Sequence, residues 1–232
     1  MLVKRFLSNE SGASSIDGTT FFMGLMGTGA LVVATAFSSQ GSGSIDTGPA
    51  ASAPAGLSQV VWLEGFDDGG RGWDGGTTDR SDPYYGSVLG RFGGSAGQQA
   101  VRRSFLLPTS YDYAEFRFDL HSIDSWESES FLIFLDDVPV ASFHFDEGTN
   151  GPVRESANGD PTIDLSIEAV SRRSPIGFHP DYSDQTFRVT LRVTGPAPRI
   201  AIGFGSTLDE GVENESWAID DFELLTGSLP RA

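Results

Sequence analysis

The sequence predicts an all-β domain, a two-sheet antiparallel sandwich, carried behind one hydrophobic N-terminal helix and a flexible linker. Three observations predict it. Eight short runs rich in Val, Ile, Phe and Trp follow residue 58, separated by turns rich in Gly and Asp. Two of the runs alternate apolar and polar residues with period two, and nothing after residue 58 sustains a period of 3.6. The 29 Gly and 12 Pro favour many turns over a helical bundle, while 17 Phe and 4 Trp supply enough apolar volume for one sandwich core.

The elements follow in order. Residues 1–12 form a basic leader with Lys4 and Arg5, and residues 13–38 a hydrophobic helix. Its central stretch, Gly18 to Phe37, carries no charge. Twenty residues at helical rise span roughly 30 Å, the thickness of a bilayer core. Basic residues precede the stretch and none follows it closely, so the positive-inside rule places residues 1–12 in the cytoplasm and the remainder outside. Residues 39–58, rich in Ser, Gly, Ala and Pro, read as a tether. The acidic sandwich is expected over residues 59–226, with a short tail at 227–232.

Three readings fit the hydrophobic stretch. Ala34-Thr35-Ala36 offers a signal-peptidase site, and length and flanks suit a retained membrane anchor. The third rests on the run Phe6-Leu7-Ser8-Asn9-Glu10-Ser11-Gly12-Ala13-Ser14-Ser15-Ile16-Asp17, which resembles the leader and start of Flp/Tad-type (type IVb) bacterial pilins. The resemblance implies cleavage after Gly12, Ala13 as the new N-terminus, and Asp17 as the acid at the fifth mature position. The departures are Asp17 in place of the usual Glu, and Gly18 in place of Tyr. Implied partners are the membrane, through residues 18–37, and pilus subunits. The implied location is the bacterial cell envelope, in the inner membrane or in a surface filament.

Within the domain, strands are expected at Val60–Phe66, Ala100–Leu107, Ala114–His121, Phe131–Leu135, Val138–Phe145, Phe187–Thr194, Ile200–Phe204 and Trp217–Leu225. In Phe116-Arg117-Phe118-Asp119-Leu120 the apolar residues face one side and the charges the other, the mark of a half-buried antiparallel strand. Asp136-Asp137 reads as a hairpin turn. Asp67–Arg91 and Glu147–Asp184 read as long irregular segments. So many short strands point to a jelly roll.

Charge narrows the partners. Beyond the leader, 13 basic residues face 31 acidic ones, a surface that repels nucleic acid and attracts divalent cations. The bland alternative is that acidity serves solubility. With no Cys, disulfides do not contribute. The three His show no zinc-site spacing, and no nucleophile elbow or phosphate-cradling Gly motif is present.

The two ends of the domain carry a second likeness. Leu63-Glu64-Gly65-Phe66-Asp67-Asp68-Gly69 with Gly72-Trp73, and Trp217-Ala218-Ile219-Asp220-Asp221-Phe222, resemble the ends of carbohydrate-binding-module and galactose-binding-like jelly rolls of bacterial secreted proteins. Only these ends and Leu89-Gly90-Arg91-Phe92-Gly93 match a motif. The resemblance implies a structural Ca²⁺ clamping first and last strands through Glu64, Asp67, Asp68, Asp220 and Asp221. A physical argument stands beside it: adjacent Asp220 and Asp221 on one strand should point to opposite faces, so one is directed at the core and needs a cation or hydrogen bonds.

Asp124, Glu127, Glu129, Glu213 and Glu215 form a second candidate metal cluster. Glu127 and Glu129, about 6–7 Å apart on one strand face, also suit retaining glycoside hydrolysis. Trp73, Tyr84 and Tyr85 are candidate glycan-stacking residues, with a packing role as the alternative. The leading expectation is a non-catalytic, extracytoplasmic binding or adhesion module, glycan-binding and Ca²⁺-stabilised. The alternatives are a structural or minor pilin and a glycosidase using Glu127 and Glu129.

Overall fold

The computed structural model describes residues 58–146, 153–155, 160, 162–172, 174–175, 179 and 181–229. The expected leader, helix and nearly all of the linker, with Gly12, Ala13, Asp17 and residues 18–37, lie outside them. Every regular element among the described residues is a strand, and none of these residues forms a helix able to cross a membrane.

The strands are β1 (Ser58–Glu64), β2 (Thr78–Asp79), β3 (Val88–Phe92), β4 (Gln99–Leu106), β5 (Tyr113–Asp124) and β6 (Glu127–Leu135). They continue with β7 (Val138–Asp146), β8 (Val153–Glu155), β9 (Ile163–Ala169), β10 (Gln185–Thr194), β11 (Arg199–Ser206) and β12 (Glu215–Gly227). All eight expected strands are present. β2, β3, β8 and β9 correct the two segments read as irregular.

Two antiparallel sheets result. One runs β2-β3-β12-β5-β10-β9, and the other β4-β11-β6-β7-β8. β12 is central to the first. Along one side it pairs with β5, and along the other it pairs first with β3, through Trp217–Ile219, and then with β1, through Phe222–Gly227. Gly90 is what lets β3 approach. Its φ is +138°, and a Cβ there would lie 2.9 Å from the Trp217 carbonyl oxygen.

The sheets face each other across one aromatic core. Phe118 of β5 meets Phe204 of β11 at 4.9 Å between ring centroids, and Trp217 of β12 meets Phe131 of β6 at 5.2 Å. Alternation puts Phe116, Phe118 and Leu120 inside with no exposed surface, as period two requires. The same holds for Phe187, Val189 and Leu191 on β10. Asp136 and Asp137 join β6 to β7, both with positive φ, as a tight two-residue hairpin turn demands.

Candidate functional site

The outer face of the first sheet carries charge on three adjacent strands. Glu115 of β5 accepts hydrogen bonds from Arg117 Nε at 2.8 Å and from Arg192 Nε at 2.7 Å, the latter on β10. One step along, Asp119 is held by both Arg188 Nε and Nη2. Beside it on β12 stands Asp220, whose Cα partner in the ladder is Asp119.

Asp220 and Asp221 do not alternate as expected. The register between β12 and β5 breaks between Asp220 and Glu223, and Asp221 takes φ +47°. The extra residue is absorbed by a bulge. Ile219 and Phe222 therefore both reach the core, Asp220 takes the outer face, and Asp221 stands exposed, 3.7 Å from Arg188. Neither carboxylate enters the core. Burial pushes the Asp220 carboxyl up to about 7, with Asp221, Asp119 and Asp67 adding like charge.

Glu64 faces the other way. Its ladder partner is Phe222, a core residue, and paired residues of an antiparallel ladder share a face. The Glu64 Oε2 lies 3.4 Å from Arg103 Nη1 on β4. The structure thus brings Asp67 and Asp221 within electrostatic reach of Asp220 but leaves Glu64 on the other face of the sheet. Among the described residues no three His, Asp or Glu side chains converge where they could hold a metal ion. The residues implied for a first-to-last-strand clamp do not fit a single ion as a set.

Glu64 belongs instead to a groove of about 620 Å³ at the sandwich edge, lined by Trp62, Leu63, Glu64, Asp68, Arg71 and Arg103, with Gly69 and Gly72. The Arg103 guanidinium lies over the Trp62 ring at 4.0 Å and donates from Nη1 to the Arg71 carbonyl oxygen at 2.9 Å. Burial pulls the Arg103 guanidinium down and Glu64 opposes it. Gly72 has φ +85°, and a Cβ there would come within 3.2 Å of Arg103 Nη2, so the turn is shaped around that guanidinium. Asp68 and Arg71 stand exposed at the mouth, and half-exposed Leu63 supplies an apolar rim.

The aromatic candidates separate. Trp73 is core, packed against Phe66, Phe105, Phe204 and Phe222, so its ring face is not offered to a ligand. Tyr85 is buried against His121 at 4.7 Å, closing a small apolar cluster of Val88, Ile123 and Ala218 on the outer face. Tyr84 is exposed and meets Tyr85 edge-on. Trp62, which the sequence shows only as part of a strand, lines the groove beneath the Arg103 guanidinium.

The second acidic cluster is partly assembled, with Glu215 the ladder partner of Asp124, Glu129 near Glu215 and Glu213 near Asp124, but among the described residues no three of them converge to hold an ion. Ser128 has φ +87° and the β6–β7 register shifts there, so Glu127 and Glu129 lose the alternation that would set them side by side. Glu129 turns back to accept the Glu127 backbone N–H. Buried Glu215 accepts the N–H groups of Asp209 and Glu210, each at 2.7 Å, and burial raises its pKa. Exposed Glu213 meets Arg91 at 3.4 Å.

Asp124 finds a different companion, Asp184, whose Oδ1 accepts the Asp124 N–H at 2.8 Å. Burial pushes Asp124 up to about 6 against the pull of His179 and Arg91. It pushes Asp184 up to about 7. Nothing in the sequence linked these two residues, which lie sixty positions apart.

No protein-family model, no curated protein and no solved structure matches the chain.

Proposed function

We propose that the sandwich is a non-catalytic binding module of jelly-roll type, displayed outside the cytoplasm, with the Trp62–Arg103 groove as its ligand site and a polyhydroxylated glycan as the ligand class. The single observation that carries this reading is the stacked indole and guanidinium, set beside Glu64, Asp68 and Arg71 in one open groove. Glycan recognition needs apolar surface with hydrogen-bond donors and acceptors around it, and here half-exposed Leu63 supplies the apolar surface beside the Arg103 guanidinium. The exposed pair Asp68 and Arg71 supplies one acceptor and one donor group without a structural duty of its side chain in the core.

The test is a glycan array followed by calorimetry on the full chain in detergent. Arg71→Ala and Asp68→Asn should each weaken binding about tenfold, or about 1.4 kcal/mol, with the melting temperature unchanged. No binding on the array, or binding indifferent to both substitutions, removes the reading.

Display rests on the N-terminal segment. The pilin-like leader supports carriage in a membrane or filament by residues 18–37, after cleavage between Gly12 and Ala13. Mass spectrometry of the native protein should find Ala13 first. An N-terminus near Ala36 would mean a discarded signal peptide and a freely secreted domain.

A further inference from the structure

Two carboxylates outside the groove are buried without adequate partners. Asp184 has no exposed surface, and Asp124 retains 1%. The backbone of Asp184 is fixed on both sides by Ser174, through N–H to O at 2.8 Å and the reverse bond at 3.1 Å. Asp124 ends β5 with φ +67°, and its carbonyl oxygen receives the Trp126 N–H at 3.2 Å. The bond from the Asp124 backbone N–H to Asp184 Oδ1 ties the Asp184 side chain to the end of β5. Three carboxylate oxygens remain, Oδ1 and Oδ2 of Asp124 and Oδ2 of Asp184, and all three are buried with no hydrogen-bond partner of normal geometry.

An unpartnered buried carboxylate costs several kcal/mol, and two side by side add their mutual repulsion. The Tyr85 hydroxyl approaches Asp184 and the His179 backbone N–H approaches Asp124, which offsets the charge only in part. Asp82 and Glu213 add like charge to Asp184 and Asp124 respectively. On the positive side, Arg91 already serves Asp79, Glu213 and the Val212 carbonyl oxygen. His179 accepts the Asp181 N–H at Nδ1 and lies against Tyr182 at 4.7 Å.

The geometry points to a divalent-cation site here, with Asp124 and Asp184 as its protein carboxylates and Ca²⁺ as its ion. The donors are hard oxygens, and Ca²⁺ completes its six to eight ligands readily with backbone carbonyls and water, so two carboxylates suffice. An ion at this point ties the end of β5 to the segment that feeds β10. The site is separate from the groove and from the ends of the first and last strands, and its existence does not depend on the glycan reading.

The experiment is titration of the chelator-stripped full chain in detergent with CaCl₂, followed by calorimetry and by thermal unfolding. One Ca²⁺ should bind and raise the melting temperature by about 5 °C at saturation. Asp124→Asn and Asp184→Asn keep side-chain shape and should each abolish that rise. Each should also melt no lower than the metal-free parent, since a buried charge has been removed. Arg71→Ala and Asp220→Asn should bind Ca²⁺ as the parent does, which separates this site from the groove and from the strand ends. Absence of any Ca²⁺ effect at about 10 mM, well above the range of weak extracellular sites, overturns the proposal. So does a full effect surviving in either Asn variant, or a preference for Zn²⁺ over Ca²⁺. If one variant does not fold, the other decides the matter.

Discussion

Asp119 and Asp220 face each other across the β5–β12 ladder, and Arg188 brackets the first of them alone. One strand's carboxylate is neutralised, while its neighbour Asp220 accepts the Asp221 backbone N–H at 2.8 Å and faces like charge from Asp221, Asp119 and Asp67. That asymmetry makes Asp220 a destabilising charge whenever it is ionised.

Asp220→Asn should therefore stabilise the protein at pH 8. A carboxyl raised to about 7 in the folded state, against 3.8 unfolded, contributes stability at low pH that is lost as pH rises through 7. The expected gain is about 1 kcal/mol after allowing for solvent screening, shrinking toward zero near pH 4. Thermal unfolding at the two pH values measures it. A lower melting temperature at pH 8 that only Ca²⁺ restores would revive a metal role for the strand ends.

His121 gives pH dependence of the opposite sign. Burial holds it down to about 4, although Asp119 pulls the other way, and its Nδ1 lies 2.9 Å from the Thr186 hydroxyl. The unfolded chain binds the proton first, so stability present above about 6.5 is lost as pH falls toward 4. Parent and His121→Gln, compared by urea unfolding across this window, should converge at the acid end. A constant difference between them would show that His121 takes up its proton equally in the folded and unfolded states.

Glu115 should be costly to remove. It is buried between Arg117 and Arg192, and Glu115→Gln leaves two guanidinia facing each other with one acceptor fewer. The expected loss is about 2 kcal/mol, tempered because both arginines are partly solvated. Urea midpoints at fixed slope report it, and a loss below about 0.5 kcal/mol would mean that solvent screens the cluster.

Trp73 and Tyr84 should part company under mutation. Trp73→Ala removes a ring packed on four phenylalanines and should cost about 4 kcal/mol. Tyr84→Ala strips an exposed ring and should leave the melting temperature within about a degree. Equal effects would contradict the placement of Trp73 in the core.

The strands that were legible in the sequence are those with one dry face. β5 and β10 alternate because Phe116–Leu120 and Phe187–Val193 lie between the sheets while charges pair outside. β9 was hidden because it is a sheet-edge strand with only Leu165 buried, so its apolar signal is faint. β3 was hidden by Gly90, which local reasoning takes for a turn and the fold uses for close approach to β12. Asp220-Asp221 misled because strict alternation ignores bulges, and a bulge is set by the ladder partner rather than by the strand's own residues. At the groove, Glu64 and Asp68 were visible as acids near a strand end. The stacking of Arg103 on Trp62 was not, because it joins strands of different sheets.

β12, which β1, β3 and β5 all pair with, follows them in the chain. With β12 not yet synthesised, β1 has no partner among the described strands and β5 keeps one edge open. The first sheet cannot close until residues 215–227 have emerged, so β1 waits for its partner through the synthesis of every strand that lies between them in the chain.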